Sequence, residues 1–265
     1  MEDVARKKIV QNYYSKRDKD YERQKIRTWK SKQGFGTEII DRIIGALAGL
    51  ENKTVLEVGV GSGRIGFSVK EKIKPWFVGL DLSKKMLGLA KTKMPSYKQK
   101  FDLILGDAES LPFISGFFDA IVCISTMHYF EFPERCLTEF SRTLKEKSVF
   151  IYGDLTLHEL DNHGFLDALE RTLSEAHAIY CKPSEMKKLL ENLGFHVSKV
   201  EAFPYRKSFV ALMEDKGRYF GVDLETLNEL ILGATVDDKK TYSVDSDGLT
   251  LFYMLITALK ENKVV

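Results

Sequence analysis

Between residues 53 and 154, short apolar runs alternate with amphipathic stretches, and most of the runs end at or next to an acid or a glycine. TVLEVGV, WFVGLDL, FDLILGD, FFDAIVCIS and SVFIYGD are rich in β-branched and aromatic residues and read as strands. RIGFSVKEKI, SKKMLGLAKTKM and FPERCLTEFSRTL carry apolar residues at helical spacing, with Ser83 as the N-cap of the second. Parallel strands need a crossover between them, and a helix is the usual one. The alternation predicts an α/β chain with a mostly parallel sheet covered on both faces. Such sheets bind ligands at the carboxyl ends of their strands. Glu57, Asp81, Asp107, Ser125 and Asp154 all fall near those ends.

The first strand runs into LEVGVGSGRIG, which has two spellings. Glu57, Gly59, Gly61 and Gly63 form E-x-G-x-G-x-G; Gly61, Gly63 and Gly66 form G-x-G-x-x-G. Glycines after a strand let the backbone turn tightly and approach a ligand, and the following helix offers free N–H groups. The second spelling suits a dinucleotide pyrophosphate. An acid just ahead of the glycines works against that phosphate and suits a ligand with a positive amino group. Asp81, about twenty residues on, has the usual spacing of a ribose-binding acid and fits either ligand. The third strand end, GDAESLPF, separates them: Asp107 can accept from an adenine amino group while the Ala108 N–H meets a ring nitrogen. No P-loop is present, since G-x-x-x-x-G-K-[ST] does not occur.

The rest of the chain is less regular. Residues 4–30 read as a polar, basic helix with Tyr13, Tyr14, Tyr21 and Trp29; SKQGFGT breaks it, Thr37 is a plausible N-cap, and EIIDRIIGALAGL follows with one apolar face. Residues 155–180 look like a helical excursion. KPSEMKKLLENLGF is a helix with a glycine stop, HVSKVEAF a strand, residues 205–235 further helices and LTLFYMLITALK a closing strand. With no repeat or linker, 1–265 reads as one domain: 1–34 a helical cap, 35–155 the cofactor-binding core, and 156–265 the second half of the sheet with helical insertions.

The 265 residues carry a net charge of +2, which argues against a nucleic-acid or membrane partner for the protein as a whole. The cations crowded into residues 1–32 read as a solvated helix face. Cys123, Cys136 and Cys181 form no C-x-x-C pair, so no zinc or redox framework is visible. MEDVARKK lacks the apolar stretch of a secretion signal and no run approaches membrane-spanning length; the expectation is a cytoplasmic protein.

LEVGVGSGRIG, GLDLSKKMLGLAK and GDAESLPFISGFFDAIVCISTMHYF, in this order, resemble the class I S-adenosylmethionine-dependent methyltransferases, in particular the branch that includes ubiquinone and menaquinone biosynthesis. The likeness covers roughly residues 35–155. It implies a Rossmann-like three-layer sandwich, a mostly parallel seven-stranded sheet with an antiparallel closing strand, and helical additions at the N-terminus and as insertions. It also implies that Glu57 and the backbone of Gly59, Val60, Gly61 and Gly63 hold the methionine part of S-adenosylmethionine. Asp81 then binds the ribose hydroxyls, Leu82 and Met86 flank the adenine, and Asp107 and Ala108 read its edge. Ser125 sits near the amino group, and an N-terminal tyrosine, Tyr21 in preference to Tyr14, reaches the carboxylate.

Methyl transfer from a sulfonium needs proximity and a dry site more than acid–base machinery. A base helps only if the acceptor must lose a proton. His128, in TMHYF, reads either as that base or as a buried structural imidazole, and Asp154 either as an orienting group or as a helix cap. His158, His163 and His177 match no metal signature, so no metal is expected. The acceptor is expected among the aromatics of the N-terminal helix, of 155–180 and of the segment with Phe203, Tyr205, Phe209, Tyr219 and Phe220. The leading reading is methyl transfer to a small molecule. A tRNA or protein methyltransferase, a nicotinamide-dependent oxidoreductase and a non-catalytic S-adenosylmethionine-binding protein stand as alternatives, and the oligomeric state is left open.

Overall fold

The computed structural model describes residues 2–16, 36–94, 100–214 and 223–261. Its centre is a seven-stranded sheet of order β3-β2-β1-β4-β5-β7-β6. The strands are β1 (Thr54–Val58), β2 (Trp76–Asp81), β3 (Phe101–Leu105), β4 (Phe118–Ile124), β5 (Leu144–Thr156), β6 (Phe195–Ser208) and β7 (Gly248–Lys260). The first five pair in parallel, and β7 is antiparallel to both β5 and β6. The chain order turns outward in both directions from β1 and β4, which opens a crevice at their carboxyl ends.

Period-two alternation builds both faces. Leu56, Val58, Val78, Leu80, Ile121, Cys123 and Phe150 point to one side and pack with Leu137, Phe140 and Leu190. Val55, Phe77, Ala120, Val122 and Ile151 point to the other and pack with Ile39, Ile43, Ile65 and Val69. Strands buried on both faces have no polar side to spare, which is why these runs are mainly apolar.

The helices that cover the sheet begin with α1 (Glu2–Ser15), α2 (Gly36–Ala46), α3 (Arg64–Ile73), α4 (Lys84–Lys93) and α5 (Pro133–Thr143). Ser83 caps α4 as expected, its Oγ accepting from Met86 N at 3.3 Å. Thr37 does not cap α2, which already includes Gly36.

Beyond β5 the outcome is mixed. Within 155–180 only α6 (Phe165–Leu173) is helical. The chain before it is held instead by Asp161, which accepts from the backbone of His163, Gly164, Phe165 and Leu166. The helix α7 (Pro183–Asn192) forms where expected. Residues 205–208 are strand rather than helix, because β6 stays paired with β7 as far as Ser208 opposite Gly248. Short helices α8 (Phe209–Leu212), α9 (Leu224–Gly233) and α10 (Val236–Thr241) complete a third apolar cluster with α6. That cluster, around Leu166, Leu169, Leu227, Tyr242 and Leu251, caps the sheet beside the crevice.

Candidate active site

The loop between β1 and α3 is built by close approaches. Gly59 has φ +72°, and a Cβ there would land on the Thr126 side chain. The glycine loop and the turn after β4 are therefore in contact. Gly63, at φ +84°, leads into α3, where a Cβ would strike the Phe67 ring. Gly66 lets α3 settle onto β1, since a Cβ would meet Phe77 and come within 2.8 Å of Glu57 Oε2. Val60 is buried behind the loop.

Two acids frame this loop. Asp81 ends β2 and accepts from Gly61 N at 2.7 Å and from Ser83 N at 2.8 Å, tying the β1 loop to the start of α4. Burial pushes its carboxyl up to about 6, against those two N–H donors. Each oxygen retains a lone pair for a ligand hydroxyl. Glu57 is 3% exposed and lies under the loop. Burial pushes it up to about 8, opposed by the Gly66 N–H and by Arg64. Its Oε2 is buried without a hydrogen-bond partner. Met86, buried, sits 3.6 Å from where a Gly61 Cβ would be, and Leu82 is half-buried beside it.

Helix α1 lies over the strand ends. Lys7 Nζ reaches Asp107 at 2.8 Å and also pairs with Glu109. Gln11 donates to Leu82 O at 3.2 Å. Tyr14 OH donates to Tyr129 OH at 2.7 Å, and Arg6 donates to the carbonyls of Glu175 and His177. Asp107 Oδ1 also accepts from Glu109 N, which shapes the turn, and Ala108 is buried. Tyr21, Trp29, Tyr219 and Phe220 lie outside the described residues.

At the ends of β4 and β5 the two proposed chemical groups meet. His128 Nδ1 is 2.8 Å and 2.9 Å from the two oxygens of Asp154. The carboxylate also accepts from His128 N at 3.2 Å and Leu155 N at 2.9 Å, and Asp154 is 1% exposed. A carboxylate only accepts, so the ring donates from Nδ1, and the neutral imidazole carries its lone pair on Nε2. Parallel pairing of Ile124 with Gly153 brings the two residues together across 26 positions of sequence. Ser125 stands at φ 52°, a conformation that costs a non-glycine residue about 1–3 kcal/mol. Its N–H donates to Gly153 O at 2.6 Å, and its Oγ is 3.2 Å from Tyr253 OH.

The sequence reading missed Arg6 and Lys7 as parts of the crevice, and it missed a second histidine–carboxylate pair. His177 Nε2 is 2.7 Å from Asp167 Oδ1, and both residues are buried. Asp167 and Glu170 lie on the otherwise apolar face of α6. Acids on such a stripe were the available signal. The cysteines are free, and burial pushes the Cys181 thiol up to about 12 and the Cys123 thiol higher, which disfavours thiolate chemistry. Among the described residues no group of three His, Cys, Asp or Glu is arranged to hold a metal ion, and no helix is long and apolar enough to cross a membrane.

Comparison with known proteins agrees with this layout. Residues 56–152 match the family model described as a methyltransferase domain. A fatty-acid O-methyltransferase of Mycolicibacterium smegmatis is 32% identical over 110 residues, 41% of this chain and 39% of that protein. A demethylmenaquinone methyltransferase of Thermotoga maritima is 30% identical over 123 residues, 46% of this chain and 52% of that protein. The chain thus spans about half or less of the curated relatives it matches. Among solved structures, a putative methyltransferase from Bacillus halodurans superimposes with a TM-score of 0.77 at 23% identity, over 85% of this chain and all of that one. Residues 56–152 thus match the methyltransferase-domain model, and the chain shares the fold of the solved structure over 85% of its length.

Proposed function

We propose that the protein transfers the methyl group of S-adenosylmethionine to a small-molecule acceptor. The observation that carries this is the contact between Gly59 and Thr126: the loop that would hold the methyl donor touches the turn that presents His128. S-adenosylmethionine supplies a methyl group on a sulfonium, ready for in-line displacement. The residues fit such a ligand. Asp81 has lone pairs left for ribose hydroxyls, Met86 and Leu82 offer apolar flanks for adenine, and Asp107 stands at the neighbouring strand end. The unpartnered Glu57 oxygen under the loop suits a ligand that brings an ammonium, because such a charge favours the ionised form of this buried carboxyl and pairs with it.

His128 takes the acceptor's proton at Nε2, and Asp154 holds the ring and stabilises the imidazolium that results. A bound S-adenosylmethionine would give its methyl carbon to the acceptor's lone pair and keep the carbon–sulfur electron pair on sulfur. Helix α1 covers the crevice and excludes water. Of its cations, Arg6 and Lys7 are tied to carbonyls and carboxylates, which favours a small acceptor over tRNA phosphates. The test is calorimetric titration with S-adenosylmethionine and with NAD, followed by a labelled-methyl assay against cell extract. Binding of the first but not the second is expected. No S-adenosylmethionine binding at high micromolar concentration refutes the proposal.

A further inference from the structure

Behind His128 lies a second set of buried polar groups that no step above uses. The rings of His128 and Tyr180 are 5.5 Å apart, those of His128 and His177 6.0 Å, and those of His177 and Tyr180 4.4 Å. His177 and Tyr180 are each 2% exposed. His177 Nδ1 and Tyr180 OH have no hydrogen-bond partner, and neither does Arg6 Nε, whose guanidinium holds the His177 carbonyl. Leaving a buried polar atom unsatisfied costs about 1–3 kcal/mol, so three together call for a ligand that satisfies them.

The polarity of the cluster says which ligand. Asp167 accepts from His177 at Nε2 and from Tyr180 N at 2.9 Å. Burial lowers the pKa of His177, against the pull of Asp167, and so favours the neutral ring. Its Nδ1 is then a bare acceptor, as His128 Nε2 is. Arg6 Nε is a donor, and Tyr180 OH can do either. Three buried acids act on the rings: Asp154 on His128 and Tyr180, Asp167 on His177, and Glu170 on His177 and Tyr180.

We infer that His128, His177 and Tyr180 form the head-group site of the acceptor, and that this head group is neutral and carries two hydroxyl groups, as in a vicinal diol or a catechol. This rests on the methyltransferase reading. One hydroxyl donates to His128 Nε2 and is the atom methylated. The other donates to His177 Nδ1 and accepts from Tyr180 OH. A carboxylate would satisfy Arg6 and Tyr180 but would face two lone pairs and three acids. The proposal therefore sets this chain apart from its fatty-acid relative at the head group.

The test uses matched pairs on the full chain with S-adenosylhomocysteine bound: octane-1,2-diol against octanoate, and catechol against benzoate, by calorimetry or ligand-observed NMR. The dihydroxy member of each pair is expected to bind more tightly by about tenfold, the scale of one buried hydrogen bond. Tyr180→Phe keeps the ring and removes a hydroxyl with no protein partner, so it folds. It is expected to weaken the diol and catechol by about fivefold or more while leaving S-adenosylhomocysteine affinity as it was. Equal or tighter carboxylate binding, no binding by either class, or a Tyr180→Phe variant that binds the diols unchanged overturns the inference. Failure of S-adenosylhomocysteine itself to bind strikes the methyltransferase reading instead, and the diol comparison is then read on the protein alone.

Discussion

Replacing Glu57 by Gln tests the electrostatics of the crevice directly. The carboxyl is buried, and its pKa is raised from 4.5 to about 8 by loss of water. The folded state therefore binds this proton more tightly than the unfolded chain does. The contribution of Glu57 to stability is greatest below pH 4.5 and is lost as pH rises to about 8, after which it levels. Each pH unit of that window is worth about 1.4 kcal/mol, so the ceiling is on the order of 5 kcal/mol. Asp81, raised from 3.8 to about 6, adds a smaller penalty of the same sign at lower pH. Gln has the shape of Glu and does not titrate. Wild type and Glu57→Gln should melt close together at pH 5. By pH 9 the variant should be ahead by several kcal/mol, roughly 10 °C at about 2–4 °C per kcal/mol. Scanning calorimetry across that range decides it; parallel curves for the two proteins refute the buried, neutral carboxyl. A linked result follows if the ligand brings an ammonium to this acid. Binding at pH 7.5 would then ionise Glu57 and release a proton, visible as a dependence of binding heat on the buffer, and absent in the Gln variant.

The remaining predictions are simpler. Asp81→Ala should weaken S-adenosylhomocysteine by roughly 1.5–3 kcal/mol per lost charge-assisted hydrogen bond; unchanged affinity by calorimetry removes the ribose contact. His128→Gln and Asp154→Asn should each lower the methyl-transfer rate constant, by about 10²–10⁴ for the base itself, with cofactor affinity kept; full activity in either makes the pair structural. Gly49 and Gly59 both have positive φ, but only Gly59 has a neighbour in the way. Gly49→Ala should cost about 1–2 kcal/mol in chemical denaturation, and Gly59→Ala about 1–3 kcal/mol more from the clash with Thr126; equal losses would deny the contact between the two loops.

What the sequence disclosed and what it withheld divide along a physical line. The parallel half was legible because its central strands are buried on both faces, so TVLEV, WFVGLD and FDAIVCI are mainly apolar and their few acids, Glu57, Asp81 and Asp119, stand out. The same logic fails for β6, whose exposed edge alternates through FHVSKVEAFPYRKS and whose last residues are strand only because β7 pairs with them. The 155–180 segment, read as a helical excursion, is helical only over Phe165–Leu173; the chain leading into that helix is held by one side chain, Asp161, satisfying four backbone N–H groups, and no periodicity reports that.

The site shows the same split. Residues at strand ends could be nominated singly, since position along the chain gives position along the sheet. The bond between His128 and Asp154 could not, because it depends on which strands are neighbours and in what register. Lys7, Arg6 and His177 lay further out of reach. They sit on elements whose docking is set by tertiary contacts alone, and nothing local marks a lysine as the partner of Asp107. The proposed cofactor end of the crevice is therefore written into the motifs. The proposed acceptor end is written into how α1 and the 155–180 segment fold back over them, and Tyr180→Phe, which removes one unpartnered oxygen and no protein hydrogen bond, is the substitution best placed to separate the two.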